Sequence, residues 1–215
     1  MEQEEILNKF REYVEDNIRK ADPNGRLYLN PHLLDTESRV LELDENACCS
    51  IRIAALGHDI DRVFQDRIKK GDYPSYDLYK LAHAAQCAKK TIEVVGPFTT
   101  DSNWLADISN FIGYHDIKGG YPEHATPEQI KGVDLVRDGD SISFFHINIP
   151  IYFIDHPPSD FDKKIIFMYD KMSRVNQGLV KGILEFRRDE REDSREAFSK
   201  ALDLISRFEK ENKQA

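Results

Sequence analysis

The sequence contains only three cysteines, and this scarcity excludes the protein classes that depend on them. Cys48 and Cys49 are neighbours and Cys87 stands alone, so they provide neither a disulfide framework nor the paired spacing of a zinc ribbon. This cysteine usage is typical of the reducing cytoplasm, where we expect the protein to be located.

Long apolar runs are also missing. The most apolar window, residues 142–154, is too short to cross a bilayer and contains His146, Asn148 and Pro150. The opening residues, Met-Glu-Gln-Glu-Glu, lack the basic and apolar regions of a signal peptide. We therefore expect no association with a membrane.

Net positive charge is absent too, because 39 acidic residues outnumber 30 basic ones and leave a charge of −9. This balance argues against binding to nucleic acid polymers. It does not exclude a small anionic substrate, since a metal ion and a few cationic side chains can reverse the local field. With 215 residues, of which 40% are hydrophobic, the chain is long enough for one domain with a substantial core.

No window shows the sustained alternation of a half-buried strand, whereas helical spacing of apolar residues recurs throughout. We therefore predict a single all-α domain over residues 1–215. Proline and glycine signals help to bound several of its helices, as at Asn30-Pro31 and Gly96-Pro97. The predicted helices are residues 2–20, 30 to about 44, 47–64, 77–95, 103–114, 126 to about 145, 161–180 and 182–213.

A histidine and an aspartate, His58 and Asp59, directly follow the apolar run of residues 51–56. Burying such an ionisable pair is costly unless a cation compensates it. Imidazole and carboxylate are both ligands of divalent metals, which suggests a metal site. Further candidates come later in the chain, each in or at the end of a predicted helix: His83, His115-Asp116 and Asp138-Gly-Asp140.

This order of residues resembles the HD-domain superfamily of metal-dependent phosphohydrolases. The matching segments are Ala54-Ala-Leu-Gly-His58-Asp59-Ile60, Lys80-Leu-Ala-His83-Ala-Ala-Gln-Cys-Ala88 and Val133-Asp-Leu-Val-Arg-Asp138-Gly-Asp140. The resemblance covers residues 27–146 and implies an HD-like helical bundle, which a helical extension over about residues 160–213 would follow. A little-characterised bacterial branch is more similar, through residues 21–24 and 71–74, and it brings no assigned substrate.

The resemblance implies one or two divalent ions, and Mn, Fe, Co, Mg, Ni and Zn are not distinguished. It implies as metal ligands His58, Asp59, His83, His115 and Asp140. In this assignment His58, Asp59 and Asp140 hold a first ion, Asp59 bridges to a second, and His83 and His115 complete the second site. The family's first ligand, a histidine on the opening helix, is replaced here by Thr36, one turn after His32. We favour loss of this ligand over its replacement by His32.

Cationic side chains near these ligands would neutralise phosphate oxygens. Arg62 and Lys80 lie one helical turn from His58 and His83, so they can face the same site. We predict as catalytic residues Asp59, Asp61 and Arg62, and as substrate-binding residues Arg39, Arg62, Lys80 and Lys118.

The leading hypothesis is a phosphohydrolase that acts on a small phosphate ester or nucleotide through a metal-activated water. The substitution at Thr36 motivates an alternative, a partly degenerate module that binds its ligand without cleaving it. A third hypothesis is a di-iron oxygenase. The apolar stripe of the last predicted helix suits a homodimer interface as well as it suits the core.

Overall fold

The computed structural model describes residues 1–21, 29–64 and 66–212, without the side chains of residues 29 and 30. Over these residues the chain forms ten α-helices and no strand, which confirms the all-α prediction. None of the described helices is both long and apolar enough to cross a lipid bilayer. The helices are α1 Gln3–Ala21, α2 Leu29–Leu43, α3 Cys49–Gly57, α4 Tyr76–Val95, α5 Ser102–Tyr114, α6 Pro127–Ser143, α7 Ile149–Asp155, α8 Pro158–Asp170, α9 Arg174–Glu190 and α10 Arg195–Asn212.

The prediction of a continuous helix over residues 47–64 is wrong. The helix ends at Gly57, His58 and Asp59 form a turn, and a single 3₁₀ turn follows at Ile60–Val63. In a continuous helix, successive side chains point about 100° apart around the axis. The break removes this constraint, so that His58, Asp59 and Asp61 can contribute to two neighbouring buried clusters.

The predicted helices of the last third have the wrong bounds. Two long helices were expected over residues 161–180 and 182–213, but three shorter ones, α8 to α10, cover this range, and a further helix, α7, precedes them. The chain breaks at residues 171–173 and 191–194, where the helical spacing alone gave no signal. Residues 22–24, which contribute to the resemblance, the side chain of Asn30 and the predicted helix end at Lys213 lie outside the described residues.

The structure divides into two compact units, Met1–Asp140 and Ser141–Ala215. In the second unit, apolar side chains of α8, α9 and α10 form the interior; they include Phe161, Ile165, Val180, Leu184, Phe198 and Ile205. This division does not test the prediction of a single domain, which stays a prediction.

In the first unit, α3 is surrounded by other helices. Ile53, Ala54, Ala55 and Leu56 are fully buried, which explains why four successive positions of this helix are apolar. By contrast, α1 buries one stripe, from Ile6 to Ile18, and exposes the rest. The helix with the least polar surface therefore leads directly into His58.

A buried carboxylate fixes α2 against its neighbours. Glu37 of α2 accepts hydrogen bonds from Arg11 of α1 at 3.1 Å and Arg52 of α3 at 3.0 Å. Two guanidinium groups compensate the charge of a side chain that is almost fully buried. This network holds the helix that carries His32 and Thr36.

Two glycines allow close approach of helices beside the candidate ligands. A β-carbon at Gly139, just before Asp140, would lie 2.8 Å from Val40 Cγ2 and 3.2 Å from the Thr36 carbonyl oxygen. A β-carbon at Gly57, just before His58, would lie 2.4 Å from Thr91 Oγ1. Larger residues at either position would force the neighbouring helices apart.

Candidate metal centre

Buried histidines and aspartates from four segments of the first unit converge. His32 comes from α2, His58 and Asp59 from the turn after α3, His115 from the residue after α5, and Asp140 from α6. All five are at most 9% exposed to solvent. Ionisable side chains buried this deeply require compensation by charge or hydrogen bonds.

Three of these histidines and one aspartate form what we call the three-histidine group: His32, His58, His115 and Asp140. Asp140 Oδ1 lies 3.1 Å from His32 Nε2 and 3.4 Å from His58 Nε2, and the two Nε2 atoms are 3.3 Å apart. The donor atoms of His58, His115 and Asp140 all lie within 4.8 Å of one another.

Backbone carbonyls fix the tautomers of two of these histidines. His58 Nδ1 donates to the Ala55 carbonyl at 2.8 Å, and His115 Nδ1 donates to the Ile112 carbonyl at 2.6 Å. A carbonyl only accepts, so each Nδ1 carries hydrogen and each neutral ring has its lone pair on Nε2. Metal-binding histidines are commonly oriented by such a bond from the other ring nitrogen.

The three-histidine group fits a divalent metal. Without a cation or a proton between them, the lone pair of His58 Nε2 would face the Asp140 carboxylate at 3.4 Å. Atoms bound at about 2.1 Å to one metal ion lie about 3.0 to 3.4 Å apart, which matches the separations among His32, His58 and Asp140. A mixed imidazole and carboxylate donor set suits first-row transition metals.

Burial lowers the pKa of His58, but the Asp140 and Asp59 carboxylates outweigh this effect and raise the pKa above its ordinary value. For His32, burial dominates over Asp140 and the pKa is lowered. Of these two rings, His58 is therefore the more readily protonated in the metal-free protein.

A second cluster, the His83 group, consists of His83, Asp59, Asp61 and Arg62. His83 uses both ring nitrogens: Nε2 lies 2.6 Å from Asp59 Oδ1 and Nδ1 lies 3.1 Å from Asp61 Oδ2. Arg62 Nε lies 2.7 Å from Asp59 Oδ2. Among the described residues, Asp61 Oδ1 is buried and has no hydrogen-bond partner.

The charges of the His83 group compensate one another. Burial raises the pKa of Asp59, but Arg62 and the hydrogen bond from His83 outweigh it and hold the pKa well below its usual range. Burial lowers the pKa of His83, but Asp59 and Asp61 raise it far above its ordinary value. His83 is therefore a cation between two carboxylates.

On α2, the structure brings the side chain of His32, and not that of Thr36, into the cluster. Thr36 was favoured as a replacement that removes the ligand, with His32 as the alternative. Thr36 is buried, but its hydroxyl donates to the His32 carbonyl at 2.8 Å, a bond within its own helix. His32 contributes the side chain that meets His58 and Asp140.

The predicted pairing of His83 with His115 is also not the observed one. His115 lies with His58 and Asp140, whereas His83 lies with Asp59 and Asp61. Asp59 belongs to both clusters, since its carboxylate is also within 4.8 Å of the donor atoms of His32 and His58. This position is compatible with the predicted bridging role.

Of the four predicted cationic residues, two contact residues of the candidate site or next to it. Arg62 contacts Asp59, and Lys80 Nζ lies 3.5 Å from the carbonyl of Asp116, the residue after His115. Lys118 is exposed. Arg39 pairs with Asp35 and Glu42 of its own helix at 3.1 and 2.6 Å, so its guanidinium is engaged on α2 and not with the cluster.

A cleft of about 270 Å³ opens beside His83, Asp61 and Tyr79. Sequence reasoning missed three of its lining residues, Arg67, Lys69 and Lys70, although they form a short basic run soon after His58-Asp59. The short distance in sequence between this basic run and Asp61 could have indicated that the two lie close together.

Comparisons with known proteins add no assignment to this geometry. No family model matches the chain, and neither a curated protein nor a solved structure shows significant similarity to it.

Proposed function

We propose that this protein is a metal-dependent phosphohydrolase that acts on a small phosphate ester or nucleotide. The observation that supports this proposal is the three-histidine group, in which His58 and His115 have their Nε2 lone pairs fixed by backbone hydrogen bonds. His32, His58, His115 and Asp140 would hold the ion. The resemblance of the sequence to the HD-domain superfamily is consistent with this role.

A bound divalent ion lowers the pKa of a coordinated water and stabilises charge that develops on phosphorus. In the reaction, water displaces the alcohol or phosphate leaving group, and inorganic phosphate or a phosphorylated product is released. The residues of the His83 group carry the remaining roles. Arg62 neutralises a phosphate oxygen, Asp59 stays ionised between the two clusters, and Asp61 Oδ1 is available to accept a proton.

The test starts from protein purified without an affinity-metal column and freed of metal by chelation. It is then loaded separately with Mn²⁺, Fe²⁺, Co²⁺, Mg²⁺, Ni²⁺ or Zn²⁺ and assayed for phosphate release from a panel of nucleotides and phosphate esters. We expect turnover with at least one metal, and its loss in His58→Ala and Asp140→Ala.

His124→Ala is the matched control, because the side chain of His124 is 90% exposed and lies outside both clusters. It should retain full activity and metal content. Absence of turnover with every metal, or equal activity in His58→Ala, would refute the proposal.

A ligand-binding module without catalysis is the second candidate. The self-compensated His83 group favours it, because Asp59 and Asp61 already have His83 and Arg62 as counter-ions and do not require a second metal. Calorimetric binding of a nucleotide to metal-loaded protein that never hydrolyses it would support this alternative over the enzyme.

A further inference from the structure

The cleft beside the His83 group is strongly cationic. Four of its eight lining residues are Arg62, Arg67, Lys69 and Lys70, and Asp61 is the one carboxylate among them. The protein as a whole carries a net charge of −9, so this concentration of positive charge is local. Such a concave basic surface attracts anions and raises their local concentration.

Two of these cations lack a counter-ion. Within the described part of the chain, no carboxylate pairs with Arg67 or Lys69, and both side chains are exposed. Lys70 lies over the ring of Tyr76, 5.0 Å from its centroid. Lys90 of α4 binds Asp66 at 3.1 Å and so satisfies the one acid adjacent to Arg67. The charges of Arg67, Lys69 and Lys70 therefore remain available to a ligand.

The segment that carries these cations is held in place. Gln86 of α4 accepts a hydrogen bond from the Ile68 backbone N–H and donates one to the Asp66 carbonyl, both at 3.2 Å. These bonds fix the backbone on either side of Arg67. An anion would meet a preorganised surface, which reduces the entropic cost of binding.

We propose that this cleft binds a chain of two or more phosphoryl groups. One phosphoryl group carries about two negative charges at most, which is fewer than the three cations Arg67, Lys69 and Lys70 can neutralise, even with Arg62 engaged by Asp59. The cleft also adjoins Asp61 and His83, so a bound chain extends towards the candidate metal centre. The inference rests on the proposed function in naming its substrate class, although anion binding itself does not require turnover.

The test is calorimetry on the full chain in chelator, with inorganic tripolyphosphate, pyrophosphate and orthophosphate as ligands. We expect tripolyphosphate to bind at least about tenfold more tightly than orthophosphate. Arg67→Ala and Lys69→Ala should each weaken tripolyphosphate binding about tenfold, the effect of losing one charge-assisted hydrogen bond.

Lys89→Ala is the matched control, because it removes the same charge from an exposed site on α4 outside the cleft. It should change the affinity less than about twofold, a shift too small for a lost charge-assisted hydrogen bond. Equal weakening by Lys89→Ala, equal affinity for orthophosphate and tripolyphosphate, or no binding at all would overturn the proposal. Thermal unfolding of each variant checks that the fold is retained.

Two further measurements are needed. One distinguishes a nucleotide from an inorganic phosphate chain as the ligand, and the other distinguishes the phosphate-binding cleft from the proposed phosphohydrolase activity. Tripolyphosphate and ATP share the phosphoryl chain, and tighter binding of ATP would support the cleft and identify a nucleotide as the source. His58→Ala should keep its tripolyphosphate affinity although it loses metal. Retained binding without turnover in the wild-type protein would refute the hydrolase but not the cleft.

Discussion

The three-histidine group and the His83 group are both built from histidines and aspartates, but the carboxylates of the His83 group are neutralised by its own cationic side chains. In the three-histidine group, Asp140 faces His58 Nε2, and the Nδ1 hydrogens of His58 and His115 point away to backbone carbonyls. In the His83 group, Asp59 and Asp61 face a protonated imidazole and a guanidinium. The first group needs a cation from outside, whereas the second contains its own. We therefore expect one firmly bound metal ion per chain, at the three-histidine group.

The largest effect that tests this comparison is on folding stability. Replacing His83 with alanine leaves two buried carboxylates without their shared cation, which typically costs about 3 to 5 kcal/mol. We expect a loss of this size in the free energy of unfolding of the metal-free protein, measured by urea denaturation. His124→Ala, which removes an exposed histidine, should leave it unchanged. A loss below about 1 kcal/mol would show that the His83 group is not self-compensated.

The next effect is on metal affinity and separates His32 from Thr36. If His32 is a direct ligand, His32→Ala should weaken metal binding by at least about 100-fold, more than the loss of an orienting residue. Thr36→Val removes only a hydroxyl that bonds within α2 and should weaken it less than about threefold. Competition with a chromogenic chelator measures both. If Thr36→Val has the larger effect, the first-ligand position belongs to Thr36.

The smallest effect is the pH dependence of metal binding. The pKa of His58 is raised above its ordinary value of 6.5, and the metal must displace this proton. Affinity should therefore fall by up to about tenfold per pH unit below the raised pKa and level off above it. Binding titrations across this range, together with the number of protons released, check the sign. An affinity that rises as the pH falls would contradict a metal held by neutral histidines.

Several features of the fold could be read from the chain. The predicted bounds of α1, α4 and α5 agree with the structure to within one or two residues, because apolar spacing and, for α4 and α5, proline, serine and aspartate at their ends define them locally. The end of α3 at Gly57 could not be predicted in this way. Helical spacing of apolar residues continues from Ile53 and Leu56 to Ile60 and Val63, and the end of the helix depends on what His58 and Asp59 contact.

The candidate site likewise has features that the sequence predicted and features that it did not. The sequence identified His58, Asp59, His115 and Asp140, and the structure brings these four side chains into neighbouring groups. It favoured loss of the ligand at Thr36 over a role for His32, because residues one turn apart on a helix look equivalent until the packing of that helix is known. Gly139 and the Glu37 network determine this packing through contacts with other helices.

The chemistry of the side chains and the helical character of the segments were determined by the sequence alone, because both are local properties. Which histidine meets which carboxylate was decided only by the tertiary structure. His58 is 26 residues from His32, and His83 is 24 residues from Asp59, so no short-range pattern encodes these contacts. They depend on the rotation and approach of helices, which the packing of the whole first unit sets.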